Sequence, residues 1–295
     1  MLNRPDLSQI FSSKRISELS CGDTSFIEAI ASSFKAELAE VFTISDVYNH
    51  CYRTLSKTFR NEYFLKNVII QKILLGKHSL NTATAITEFR VGKSKADCVI
   101  INGHSTCYEI KSNYDNLDRL HGQLSQYRMI FDRTYVVAEE SKIEKLSKFD
   151  LGDAGLIQLT QRGTLKTLIE ASTIDDAIDV RTLIRSLRMS EYLELVERIY
   201  GYKPDLCNTE VFFECERLMQ AACPMKLRSE FCKVLKKSRK NDHHFLMSLP
   251  DSLLTAGISY KLNKSQQDKL ISTLNSQHRK DALCITQSLE ANSLN

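Results

Sequence analysis

Apolar residues recur at helical spacing over the first quarter of the chain. Ser25 to Val41 reads as a helix, and Ser45 is placed to cap a second one in which Val47, Cys51, Leu55 and Phe59 return every four residues. Asn61 is placed to cap a third over 62–75, with Leu65, Val68, Ile69 and Ile73 on one stripe and Gly76 as a left-handed terminator. The period then shortens to two. Ala85 to Val91 alternates, Asp97 to Ile101 is a short apolar strand, Asn102-Gly103 is a hairpin turn signal, and Thr106 to Lys111 is the returning strand. Helical spacing resumes over 117–131 through Leu117, Leu120, Leu124 and Tyr127. Tyr135 to Ala138 reads as a strand, and the runs 155–160 and 164–169 flank Gln161-Arg162-Gly163 as a second hairpin.

Beyond about Ala171 only helical periods remain, over 177–187, 190–200, 209–222, 225–238 and 265–275. Ser190 reads as a cap, Gly201 as a stop, and Pro204, Pro224 and Pro250 punctuate the helices. The pattern predicts an α/β fold in three parts: an N-terminal helical segment 1–58, a core 59–171 with a mixed sheet flanked by helices, and a C-terminal all-helical domain 172–295. Composition points the same way. Glycine and proline sum to 10 + 4 = 14 of 295 residues, well under their usual share of roughly 12%, which leaves few turn residues for an all-β or collagen-like chain.

The net charge of +4 is unevenly spread. Residues 226–240 hold seven basic side chains and one acid, or +6, so the remainder carries 4 − 6 = −2. Lys233, Lys236, Lys237 and Lys240 follow the predicted helix there, where they either track a phosphate backbone or form a solvated face. Nine cysteines include no Cys-x-x-Cys pair, so a zinc ribbon is unsupported. Cys207, Cys215, Cys223 and Cys232 fall on successive helices as small apolar residues, with Cys284 further on. The first residues lack an apolar leader and no apolar run is long enough to span a bilayer. The expected setting is a reducing cytoplasm with free thiols and no membrane.

The stretch that carries chemistry runs from Lys95 to Lys111. An acid, Asp97, heads one strand, and Glu109-Ile110-Lys111 lies across the hairpin turn. Alternation gives Glu109 and Lys111 one face and Tyr108 and Ile110 the other. Two carboxylates beside an ammonium would form a hard-cation site with an adjacent positive charge. The geometry sets a condition. Asp97 and Glu109 share a face only if opposed residue numbers sum to an even value, which a two-residue Asn102-Gly103 loop denies and a three-residue loop with Gly103 left-handed supplies; the functional reading needs that loop, or a bulge or bend near Asp97. Glu62, in the first turn of a helix, and the pair Gln123 and Tyr127, at i and i+4 on the next helix, are further polar groups near the strand ends.

The order helix with Glu62, strand, Asp97, hairpin, Glu109-x-Lys111, helix with Gln123-x-x-x-Tyr127, strand resembles the PD-(D/E)XK nuclease superfamily. Glu109-Ile110-Lys111-Ser112 followed by Asp115, Leu117, Arg119-Leu120, Gln123 and Tyr127 is similar to a bacterial and prophage subfamily with a Gln-xxx-Tyr helix. The resemblance covers roughly residues 60–170, and Ala96 stands where the motif has its proline. It implies a restriction-endonuclease-like core that hydrolyses phosphodiester bonds with Mg²⁺ or Mn²⁺, with DNA as the expected substrate and RNA as the alternative. By this resemblance Asp97, Glu109 and the Ile110 carbonyl would hold the metal, and either Glu62 or Glu88 would add a carboxylate. Lys111 would act on the attacking water and the phosphoryl charge, and Gln123 and Tyr127 would position substrate, with Lys233, Lys236 and Lys237 as DNA contacts. The rival expectation is a non-catalytic nuclease-fold module that binds nucleic acid or, through the C-terminal helices, a partner protein. A third expectation takes the C-terminal helical region as an interaction platform with the nuclease as its effector, and prophage biology or phage defence would suit that by analogy.

Overall fold

The computed structural model describes residues 4–175 and 178–283, so Cys284 lies outside the described residues. The chain divides into two compact units, Met1–Asn67 with Asp242–Asn295, and Val68–Asn241. In the first, α1 (Arg4–Gln9), α2 (Ser13–Ser20) and α3 (Ser25–Ser32) precede a short strand β1 (Val41–Thr43) and α4 (Ile44–Thr58). The helix expected over Ser25 to Val41 is therefore split. Ser32 and Ser33 turn their hydroxyls back onto the Glu28 and Ile30 carbonyls at 2.9 and 2.6 Å. Val41 is drawn into a strand pair with Arg279, a long-range contact invisible to local period. The cap of α4 is Thr43, not Ser45: its hydroxyl accepts from the Asp46 N–H, and the Asp46 carboxylate accepts from the Thr43 N–H. Asn61 does cap α5 (Glu62–Ile69), accepting from the Phe64 N–H at 3.0 Å. The helix then widens into π-type turns over Ile70–Leu75, and Gly76 ends it at φ −83°, right-handed rather than left-handed as expected.

The second unit holds a six-stranded sheet in the order β2 (Thr84–Val91), β3 (Ser94–Ile101), β4 (Ser105–Lys111), β5 (Arg133–Glu139), β6 (Gly155–Leu159) and β7 (Leu165–Ile169). The β4/β5 and β5/β6 pairs are parallel and the rest antiparallel, so the sheet is mixed. The parallel pairs need crossovers, supplied by α6 (Leu120–Arg128) and α7 (Glu140–Ser147). Four helices follow: α8 (Val180–Ser186), α9 (Met189–Tyr200), α10 (Asn208–Gln220) and α11 (Pro224–Ser238). The chain then returns to the first unit through α12 (His243–Ser248), α13 (Leu254–Ser259), α14 (Lys264–Leu274) and β8 (Gln277–Arg279), which pairs with β1. The fold is thus mixed α/β, with helices flanking the sheet and a helical C-terminal region. Among the described residues no helix is long and apolar enough to cross a membrane.

The boundaries expected at 58 and 171 are not where the chain divides. Leu183, Leu195, Val196, Phe231 and Leu235 of α8–α11 share one buried cluster with Phe89, Val99 and Ile101 of the sheet. Each such side chain gains about 1.5–3 kcal/mol by leaving water, so these helices complete the core of the sheet instead of forming a domain of their own. The change of period at 171 marks a change of element type only. Of the helical cysteines, Cys215 and Cys232 are buried, while Cys207 and Cys223 are exposed.

Polar groups inside this unit are paired. Arg239 meets Glu191 through two hydrogen bonds of 2.7 Å and lies 4.7 Å from the centre of the Phe89 ring. Burial alone would raise the Glu191 carboxyl, but Arg239, the Arg188 N–H and Ser238 outweigh it and hold the group below its usual range. The folded state therefore prefers the ionised form. Its contribution is complete above the ordinary glutamate value of about 4.3 and is lost as pH falls through the lower folded-state value. Arg239→Ala should leave Glu191 buried without its cation and cost about 3–5 kcal/mol. Urea denaturation between neutral pH and acid should show that loss at neutral pH and a shallower acid limb in the variant.

Candidate functional site

Three residues, Asn102, Gly103 and His104, join β3 to β4. Ile101 faces Ser105, Cys98 faces Tyr108, and Gly103 has φ +74°, a conformation open to glycine at little cost. The register is therefore the even one, and Asp97 and Glu109 belong to the same face of the sheet. The ladder stops at Cys98 and Tyr108. One step on, the strands part, and the Ile110 N–H donates to Asp97 Oδ2 at 2.7 Å.

The other side of β3 is irregular at the same level. Thr87 faces Cys98 and Phe89 faces Ala96, a register that sets Glu88 across from Asp97. Glu88 has φ +56°, unlike any other non-glycine residue among those described. A left-handed glutamate in mid-strand is strained by about 1–2 kcal/mol. Glu88 and Asp97 offer carboxylate oxygens within 4.8 Å of each other, and Lys95 Nζ lies 3.0 Å from Glu88. Sequence reading did not foresee Gly92. It turns β2 into β3 at φ +55°, and a Cβ there would lie 1.9 Å from the side-chain oxygen of Gln126 on α6.

Glu109 is buried, 1% exposed. Lys111 Nζ donates to its Oε1 at 2.7 Å and to the Gln123 side-chain oxygen at 2.9 Å. Gln123 and Tyr127 reach the strands because α6 buries Leu120 and Tyr127 on its sheet side. The Tyr127 hydroxyl lies 2.8 Å from Glu109 Oε2 and 2.9 Å from the Lys95 carbonyl. It has one proton for two acceptors. A protonated Glu109 would donate to the hydroxyl and free it for Lys95, satisfying all three groups. Burial raises the Glu109 carboxyl in that direction, against the opposing pull of Lys111 and of hydrogen bonds from Lys111, Tyr127 and Gln123. Asp115 accepts from the Ser112 N–H and hydroxyl at 2.8 and 2.7 Å and so turns the chain directly after Lys111.

Within the second unit the expected site residues fall into two sets. Glu109, Lys111, Gln123 and Tyr127 form one connected group, and Asp97 of β3 and Glu88 of β2 form a second. Glu62 opens α5 in the first unit, where its carboxylate pairs with Lys66 at 2.7 Å. Lys233, Lys236 and Lys237 lie elsewhere, on α11, near the opposite end of the hairpin at Gly103. The carboxylates of Glu88 and Asp97 are hard oxygen donors that suit Mg²⁺ or Mn²⁺. Glu109, on the same face, keeps a lone pair on each oxygen beside its bonds to Lys111 and Tyr127.

The sequence pattern of the family described as bacteriophage P4 protein cII matches residues 55–284, well over half of the chain. The chain belongs to that family. Protein cII of Enterobacteria phage P4 is 26% identical over 175 residues, which cover 58% of this chain and 64% of the phage protein. The match thus spans just under two thirds of that relative. Among solved structures, a protein of unknown function from Silicibacter pomeroyi aligns with 41% of this chain and 77% of its own at 13% identity and a TM-score of 0.31. At that level two proteins need not share a fold.

Two outcomes follow from the family member's own geometry. At φ +56° a Cβ is a liability, so Glu88→Gly should be more stable than Glu88→Ala by about 1 kcal/mol, the reverse of the order in an ordinary strand. Equilibrium denaturation of the two variants measures it. Lys111→Met removes the cation that opposes protonation, so Glu109 should bind its proton at higher pH than in the parent. A carboxyl whose folded value is raised stabilises most below its unfolded range and loses that contribution as pH rises through the folded value. The carboxyl signal of Glu109, followed by carbon NMR across pH, should move upward in the variant; an unchanged midpoint would mean that the ammonium is not felt.

Proposed function

We propose that the protein is a metal-dependent nuclease that hydrolyses phosphodiester bonds, with DNA as its substrate. The observation that carries this reading is the placement of Glu88, Asp97, Glu109 and Lys111 on one face of three adjacent strands, where the β3/β4 ladder ends and the backbone of Glu88 is strained. Strain held at a carboxylate is a mark of a working site more than of a packing one. The element order, helix, three strands, helix, strand, supports the PD-(D/E)XK reading as well. A phage setting is in keeping with the family, and a role in prophage biology or phage defence is the finer form of the proposal.

On this reading Glu88 and Asp97 would hold Mg²⁺ or Mn²⁺, with Glu109 and the Ile110 carbonyl completing the oxygen set. The bound metal supplies Lewis acidity toward the phosphoryl oxygen and a lower pKa for water. Lys111 orients the water and stabilises charge forming on it or on the phosphoryl oxygens. Gln123 holds the ammonium within reach of the strand, and Tyr127 fixes the Glu109 carboxylate. One observation favours the non-catalytic alternative, a nuclease-fold module binding nucleic acid or a partner protein: both Glu109 oxygens are already engaged, one by Lys111 and one by Tyr127.

The variants separate the two. Asp97→Asn and Glu88→Gln should weaken Mn²⁺ binding in calorimetry and abolish plasmid nicking together, and Glu109→Gln should do the same to a lesser extent in binding. Lys111→Ala should keep or improve Mn²⁺ affinity while nicking falls by about 10²–10⁴. A parent protein that binds no divalent metal and nicks no substrate returns the fold to the binding-module reading.

A further inference from the structure

The lysines of α11 line a groove of their own. Buried Leu80, Ala83, Ile101 and Cys232 form its floor, and exposed Lys233, Lys236, Lys237 and Lys240 stand along its rim. Its volume is ≈ 450 Å³, inside the roughly 300–1,000 Å³ range of small-ligand sites. It is separate from the carboxylates: Ile101 is four residues along β3 from Asp97, or about 13 Å at ~3.3 Å per residue.

The charges there are not cancelled. Lys233 pairs with Glu230 at 2.7 Å and Lys237 with Glu194 at 2.9 Å, but Arg198 also takes Glu230 at 2.6 Å and Glu194 at 3.8 Å. Three cations thus share two carboxylates. Lys236 donates to the Thr82 carbonyl at 3.2 Å, and among the described residues neither it nor Lys240 has a carboxylate in ion-pair range. Five cations against two anions leave +3 beside an apolar floor. The lysines run from position 233 to 237, about 6 Å along a helix that rises ~1.5 Å per residue, and Lys240 follows just past the end of α11. A nucleic-acid strand carries one phosphate per ~3.4 Å of axis, so the row matches about three phosphates. A single phosphate would use only part of it, and an inorganic polyphosphate would leave the apolar floor bare.

We propose that this groove binds a nucleoside carrying a run of phosphates, either a free nucleoside triphosphate or a nucleotide within a single strand. The phosphates lie along the lysines and the nucleoside covers Leu80, Ala83, Ile101 and Cys232. The assignment does not rest on hydrolysis at the carboxylates.

Binding is measured on the full chain without divalent metal, by calorimetry for ATP and by anisotropy for a short labelled single strand. The double reversal Lys236→Glu with Lys240→Glu should weaken whichever ligand binds by about tenfold or more. For the strand it should also lower the salt slope by about 1.4, two contributions of about 0.7. Asn81→Trp, at the exposed rim, keeps every charge and fills the groove; it should weaken binding too, with the unfolding midpoint unchanged. ATP binding alone assigns the site to free nucleotide and strand binding alone to a strand, and either supports the proposal. No binding of either ligand by the parent overturns it. So does weakening by charge reversal with no effect of Asn81→Trp, which would mean charge attraction along the helix and no groove. A protein that binds here yet cleaves nothing leaves this assignment standing and removes only the nuclease reading.

Discussion

A pair of strands admits two side-chain parities, and the loop between them selects one. Here the selection is made by Asn102, Gly103 and His104. Gly103 at φ +74° lets three residues close the turn, and the even register then sets Glu109 and Lys111 on the face of Asp97. A slip of one residue would exchange them with Tyr108 and Ile110. Both faces of β4 are buried, and Tyr108 stacks on Tyr135 at 5.9 Å, so the slipped register would bury two charges where an aromatic pair now packs. The parity is therefore strongly enforced, and the candidate site follows from it.

What that parity buries is expensive. Taking a carboxylate and an ammonium out of water costs several kcal/mol each, and a well-packed apolar pair of similar size is often as stable or more so. Glu109 and Lys111 recover part of this through their 2.7 Å contact, Gln123 and Tyr127. The Asp132–Arg228 pair, tied to Ser105 at the other end of β4, is a comparable buried group. It has a structural use, since it fastens α11 to the sheet. The Glu109–Lys111 pair joins two residues of the same strand and fastens nothing distant except the one helix α6. Packing alone gives no reason to keep it.

The order of elements was legible because the hydrophobic period changes from about four to two and back, and the even-parity condition could be written from the turn alone. That Gln123 and Tyr127 approach the strands also followed from their i, i+4 spacing. Other features were hidden for physical reasons. A left-handed Glu88 has no local signal, since glutamate carries no propensity for that conformation. Thr43 displaces Ser45 as a cap because β1 pairs with β8, a contact between the two ends of the chain. The unit boundaries were misplaced because the chain leaves the first unit within α5 and returns to it at Asp242, which no linear change of composition records. The lysine row was visible as a charge run; its apolar floor was not, because Leu80 and Ala83 reach it from a turn before β2.

Two costly features lie side by side, and that adjacency says more than either alone. A strained backbone at Glu88 and a buried ion pair at Glu109 and Lys111 each lower stability. Either could persist singly as an accident tolerated by a stable core. They flank Asp97 from both neighbouring strands, and at that level the β3/β4 ladder ends. Glu88 lies across from Asp97 in the β2/β3 register, and the parted β3/β4 ends leave the Ile110 N–H to hold the Asp97 carboxylate in place. Local rules are broken at three consecutive strands in one row and kept on either side, a distribution expected where the constraint is the relative position of a few polar groups and not the stability of the sheet.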